Sequence, residues 1–185
     1  GWKRALAAVD ALPTGRPDLR LAALLRGLPE HDVAALLIRL RLSNRQVEEV
    51  AQLAAGASLP APDASSEAYR RWLSRIGPQR LHAMARLGLA AARHGGGDAD
   101  EVVQSWRRAK EVLGQTPPLS VGDLALDGRD LIGMGLKPGP HFGDILDSLL
   151  DWVLEDPDRN HRGTLEARAS ELADRAKSDG AAHGG

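Results

Sequence analysis

Apolar residues recur along this chain at three- and four-residue spacing, and almost nowhere in the two-residue alternation of a half-buried strand. The spacing predicts helices at about 2–10, 18–28, 30–41, 44–55, 66–76, 78–93, 99–113, 130–134, 141–155 and 164–177. The fold class is therefore all-α, a helical array of about eight to ten helices. Ser43 with Gln46 and Asp98 with Glu101 have the spacing of capping boxes, which mark helix starts. Pro17 and Pro78 stand where a first helical residue tolerates a missing N–H, and Gly56 and Gly114 stand as stops.

Turn-forming residues divide the array at 57–64 (ASLPAPDA), at 94–98 (HGGGD) and at 114–120 (GQTPPLS), where Pro117-Pro118 is stiff and extended. We expect a helical body over 1–114, a tail subdomain over 115–177 and a disordered end over 178–185, too poor in apolar residues to pack. Gly95-Gly96-Gly97 has no preceding strand and no following Lys-Ser or Lys-Thr, so it is a linker rather than a phosphate loop.

Residues 124–160 are the most informative stretch. A short helix runs to Met134, and Gly135 offers the left-handed conformation with which helices often end. Lys137-Pro138-Gly139-Pro140 cannot continue a helix, and Gly139 is free to adopt positive φ. From His141, the residues Ile145, Leu146, Leu149, Trp152 and Val153 form one face of the next helix, giving a helix-hairpin-helix-like segment. Its first-turn N–H groups lack intrahelical acceptors, and Gly139, His141 and Gly143 leave room for a phosphate oxygen beside them.

The positions Gly128, Asp130, Leu131, Gly135, Pro138, Gly139, Pro140, Gly143, Val153, Leu154 and Asn160 follow the pattern G-x-D-L, G-x-x-P-G-P-x-x-G, V-L and a later N. In this the chain resembles the C-terminal region of bacterial tRNA nucleotidyltransferases, the CCA-adding enzymes of the poly(A) polymerase family. Leu21 to Leu25, Arg39 to Asn44, Arg70-Arg71 and Ile76-Gly77 extend the likeness over nearly the whole chain. The resemblance implies tRNA as partner, gripped by body and tail so that its 3′ end reaches a catalytic head domain.

That head carries a G-G-x-V-R-D segment and a D-x-D pair that hold two magnesium ions on the triphosphate. No such strand-rich segment occurs here, so magnesium and CTP or ATP belong to the missing head, and no catalytic residue is assigned to this chain. Asp156-Pro157-Asp158-Arg159 has the form of a D-x-x-R template motif but lies far past the family's position, and reads as a solvated loop. Relatives also carry L-L-H-D where this chain has Leu24-Leu25-Arg26-Gly27. Arginine and glycine cannot ligate a divalent cation, which makes the body a metal-free remnant of a phosphohydrolase-like site. His31-Asp32 is a capping or solvated pair without partner ligands.

Composition changes this picture little. Among 185 residues, 43% are hydrophobic and 3% aromatic, which suits helices packed through Leu, Ala and Val. There is no cysteine, excluding disulfides and thiolate metal sites, and no membrane span or signal peptide, so we expect a cytoplasmic protein. The start at Gly1-Trp2, already within a helical pattern, suggests a piece of a longer protein.

Charge changes it more. Residues 66–110 hold nine Lys or Arg against four acids, whereas 111–185 hold seven against fourteen, beneath a net charge of -1. Arg70, Arg71 and Arg75, on adjacent turns, are candidates to line a phosphate backbone, and an ordinary solvated face is the alternative. In the acidic tail the RNA candidates are Arg129, Lys137, Arg159 and Arg162, with the amides from Gly139 to Gly143. Trp2, Trp72, Trp106 and Trp152 fall at helical spacing with apolar residues and read as core rather than as stacking platforms. Three functions compete: a tRNA-binding module of a CCA tRNA nucleotidyltransferase, an enzyme in its own right, and a helical protein-interaction scaffold, with a homodimer left open.

Overall fold

A computed structural model describes residues 2–182 except 57, 96, 137 and 140, with backbone alone for Trp2 and 176–182. Among the described residues there are ten α-helices and no strand: α1 (Trp2–Asp10), α2 (Pro17–Leu25), α3 (Glu30–Arg39), α4 (Asn44–Ala55), α5 (Ser66–Ile76), α6 (Leu81–Gly95), α7 (Ala99–Gly114), α8 (Gly128–Gly133), α9 (His141–Glu155) and α10 (Arg162–Ala182). Short 3-10 turns lie at Pro78–Arg80, Val121–Asp123 and Pro157–Arg159. The all-α array is as the periodicity predicts. α2 stops three residues short of the expected 28, because Gly27 takes φ +93 and turns the chain although Leu28 continues the apolar rhythm. At the other end α10 runs on to Ala182, past the expected 177, and residues 183–185 of the tail lie outside the described residues.

The chain forms two compact units, Gly1–Gly114 and Gln115–Gly185. In the first, α2 and α3 pack on α4, α1 packs on α2 and α6, and α7 packs on α5 and α6. Leu19, Val33, Leu37, Val50, Leu73, Leu81 and Val112 are essentially without solvent exposure there. The small apolar side chains let helices approach closely, and each fully buried Leu contributes about 1.5–3 kcal/mol relative to exposure. The capping box at Ser43 is formed, with the Gln46 N–H donating to Ser43 Oγ and the Ser43 N–H donating to Gln46 Oε1. Tyr69, fully buried on α5, donates from its hydroxyl to the carbonyls of Pro60 and Ala61 at 3.2 and 2.9 Å. Pro60 and Ala61 are thus pinned to the helix that follows them, and burial pushes the Tyr69 hydroxyl pKa up.

In the second unit Leu126, Leu131, Ile145, Leu149, Val153, Leu165 and Ala169 form one core. Polar groups fix the turns around it. Asp127 caps α8, its carboxylate accepting from the N–H groups of Arg129 and Asp130 at 2.7 and 3.1 Å, while Asp130 accepts in return from the Asp127 N–H. Asp130 also receives the Arg162 guanidinium at the start of α10. Asn160 bridges two loops, its amide oxygen accepting from Ala125 N–H at 2.8 Å and its amide nitrogen donating to Asp123 O at 2.9 Å.

Asn160→Ala removes both bridge bonds and leaves the exposed Ala125 N–H and Asp123 carbonyl to water, so the chain is expected to lose about 0.5–1.5 kcal/mol in urea denaturation. A change below about 0.3 kcal/mol would show that water replaces the bridge fully. The hydroxyl of Ser120 holds Asp123, and the backbone N–H of Asp130 holds Asp127, below the ordinary carboxylate value of 3.8. Both groups bind protons more weakly when folded. Their contribution is complete above that value and is lost as pH falls through the lower folded one. The melting temperature should therefore stay level from about pH 7 to pH 5 and fall below about pH 4, and Asp127→Asn should blunt that fall.

Candidate functional site

The three arginines of α5 do not stand together at the surface. Tyr69, Trp72, Leu73 and Ile76 form the buried stripe of this helix, and Arg70 beside them is only 7% exposed. Arg71 Nε donates to Glu67 Oε1 at 2.8 Å, one turn earlier. Arg75 alone of the three is exposed. It lines a cavity of about 260 Å³ with Glu30, Gln52, Gly56, Trp72 and Ile76. A shared phosphate-lining role is therefore closed to Arg70 by burial, and Arg71 comes with a carboxylate attached.

At the hairpin, Lys137 and Pro140 lie outside the described residues. Gly135 has φ +83, and the N–H groups of Gly135 and Leu136 donate to the carbonyls of Ile132 and Leu131 at 2.9 and 3.1 Å. These bonds close α8 with a left-handed cap of the Schellman type. Gly139 corrects our expectation: its φ is not in the left-handed region. The space beside it is filled, since an added Cβ would lie 2.9 Å from the imidazole of His141. That half-buried imidazole meets the Phe142 ring edge-on at 5.2 Å. Asp144 in the first turn of α9 already places negative charge at the positive end of the helix dipole. Gly143 has open space around it.

The remaining tail candidates divide in the same way. Arg159 donates to Trp152 O at 2.9 Å and Glu155 Oε2 at 2.8 Å, and lies over the Trp152 ring at 4.9 Å. Arg168 reaches the same ring at 5.4 Å. Arg162 is held by Asp130 and Glu166. Arg168 thus joins α10 to Trp152 of α9, Arg159 folds its own turn back onto α9, Arg162 ties α10 to α8, and Asp156 to Arg159 is a capped 3-10 turn. Arg129 is exposed. Of the tryptophans, Trp72 is buried core at 3% exposure, Trp106 and Trp152 are half-buried with cations against their rings, and the side chain of Trp2 lies outside the described residues.

No metal site emerges among the described residues, where no three His, Cys, Asp or Glu converge. The donor set does not fit a pair of magnesium ions. Arg26, which follows Leu24-Leu25, is partly buried, and burial lowers its pKa. Its Nη2 donates to Ser58 Oγ at 3.4 Å and its Nη1 has no hydrogen-bond partner. His31 and Asp32 form an exposed pair at 3.2 Å. No described helix is long and apolar enough to cross a membrane.

A family model described as tRNA nucleotidyltransferase domain 2, putative, matches residues 19–169. The chain belongs to this family. A CCA-adding enzyme of Limosilactobacillus fermentum is 47% identical over 51 residues, which is 28% of this chain and 13% of that protein. The chain thus aligns with a small part of that relative's length. No solved structure matches. In this tRNA nucleotidyltransferase domain the motif residues do structural work: Gly135 ends α8, Asp130 closes its cap, Leu131 fills the core, and Asn160 ties the loops.

Sequence reasoning singled out charge on α5 and passed over the packing of α6 on α7. The ring of His82 lies 5.9 Å from that of Trp106, and Lys110 Nζ lies 4.8 Å above the Trp106 ring. The absence of any Asp or Glu in residues 81–95 was the available signal.

Gly135→Ala should cost about 1–2 kcal/mol, because a Cβ is forced into the left-handed region. Gly139→Ala should cost less than about 0.5 kcal/mol, displacing only the His141 ring, and Gly143→Ala should stabilise by about 0.5–1 kcal/mol through helix propensity. Chemical denaturation of the three variants checks this order. A Gly139→Ala loss as large as that of Gly135→Ala would place the strain at 139 instead.

Proposed function

We propose that this chain is the RNA-binding helical part of a tRNA nucleotidyltransferase that completes the 3′ CCA end, holding folded tRNA while a head domain adds nucleotides. The family match over 19–169, from body through tail, is the observation that carries this reading. The likeness to a CCA-adding enzyme supports the reaction class. An enzyme that serves every tRNA must read folded shape and backbone rather than sequence, and an all-helical surface bearing exposed arginines suits that task. Arg129, which is exposed, and Lys137, which lies outside the described residues, are proposed as secondary contacts of the tail.

The nucleotidyl-transfer chemistry belongs to the head. Two magnesium ions there would bind the triphosphate and activate the attacking 3′ hydroxyl. This chain has no G-G-x-V-R-D segment, and its two D-x-D spellings, Asp98 with Asp100 and Asp156 with Asp158, follow none, so its residues are proposed to bind and orient RNA. A protein-contact role is the second reading, favoured by Ile38 and Leu40, which are 61% and 57% exposed at the end of α3.

Filter binding with folded tRNA and with an unstructured RNA of equal length tests the proposal. Folded tRNA should bind more tightly, with affinity falling steeply between about 50 and 200 mM salt. Equal or absent binding of both, with a dimer in light scattering, would support the scaffold instead. The pure chain should incorporate no labelled CMP or AMP into a tRNA lacking its 3′ end, and incorporation would overturn the division of labour.

A further inference from the structure

We propose that the solvent face of α6 and α7 is the surface that grips RNA, and that its ligand is the phosphate backbone of a double-helical stem. The assignment rests on the tRNA-binding reading above. His82, Arg86 and Arg93 are exposed on α6 at spacings that place them on one face, with Leu89 half-buried between them. On α7, Trp106 and Lys110 lie one turn apart with Arg107 beside them, Trp106 half-buried and both cations exposed. The two rows adjoin. The His82 and Trp106 rings meet at 5.9 Å, and a Cβ on Gly88 would lie 3.1 Å from Val102, so the helices run antiparallel.

The charges on this face are unspent. Among the described residues Arg86, Arg93 and Arg107 have no ion-pair partner, whereas Arg71, Arg80 and Arg108 pair with Glu67, Glu49 and Glu111. α6 contains no acid. On α7, Asp98, Asp100 and Glu101 gather at its start, Glu101 about 9 Å along the axis from Arg107 but at the same end of the antiparallel pair as Arg93, and Glu111 is held by Arg108 at 3.1 Å. Arg86 and Arg93 are about 10 Å apart along their helix, and packed helices lie about 8–10 Å axis to axis. The result is a cationic face through Arg86, Arg107 and Lys110, with acids only at the end where Arg93 lies and α7 begins.

Its shape favours a duplex over a single strand. Proteins that hold single strands use grooves with aromatic rings open to stacking bases. Here Trp106 is half-buried, with His82 and Lys110 already against its ring, so it positions Lys110 rather than offering a platform. Cations on packed helices instead meet the backbone of an A-form stem, which proteins recognise largely through shape and phosphate contacts.

The test is salt-dependent binding of the full chain to folded tRNA, with a single-stranded RNA as competitor. R86A/R93A should weaken binding by about tenfold or more at low salt and reduce the slope of log K against log salt by about 2. R86K/R93K should retain most of both. R39A/R45A, which removes two exposed arginines elsewhere in the same unit, is the control and should behave as wild type. Circular dichroism confirms that each variant folds. If the wild-type chain does not bind folded tRNA, the proposed function falls and this assignment with it. If wild type binds and R86A/R93A binds equally, only the face is wrong. Equal losses in R39A/R45A and R86A/R93A would mean general attraction, and effective competition by the single strand would overturn the duplex assignment.

Discussion

The C-terminal unit depends on how one six-residue helix ends. A helix as short as α8 has little cooperativity of its own, and its free N–H and carbonyl groups outnumber its internal bonds. It persists because Asp127 and Asp130 satisfy the donors at one end and the left-handed Gly135 satisfies the carbonyls at the other. Held there, it delivers Leu131 into the core with Leu149 and Leu165, and delivers Asp130 to Arg162 of α10. Without that closure the chain has no fixed direction into α9.

Local rules were legible in the sequence, and neighbour-dependent ones were not. The capping box at Ser43, the stop at Gly135 and the start of α9 at His141 follow from residues within a few positions of each other. The end of α2 was missed because Leu28 prolongs the apolar rhythm past a glycine that breaks it; the side chain is 45% exposed. Arg70 was assigned to the surface because a helical wheel assumes one wet face. The buried part of α5 extends past its leucine and tryptophan stripe and takes in the arginine next to it. Whether Arg159 faces RNA or a tryptophan depends on the turn at Pro157–Arg159, which folds it back onto Trp152. No spacing rule reports such a turn.

The same division explains why counting cations gave an incomplete answer. Nine basic residues over 66–110 become, in three dimensions, one buried group, several ion-paired groups and a few exposed ones. Surface pairs add little stability, commonly below about 1 kcal/mol, but each removes one charge from competition for an outside anion. The useful quantity is the number of cations without a partner, and it is set by acids one turn away, as for Arg71, or on a neighbouring helix, as for Arg80.

The acid-free α6 carries a consequence for rates. Arginines exposed on a flat surface attract a polyanion over about a Debye length, roughly 8 Å at physiological ionic strength, and so raise the frequency and bias the orientation of encounters. Contacts that remain wet and screened also break easily. Such a surface combines fast capture of a polyanion with fast release.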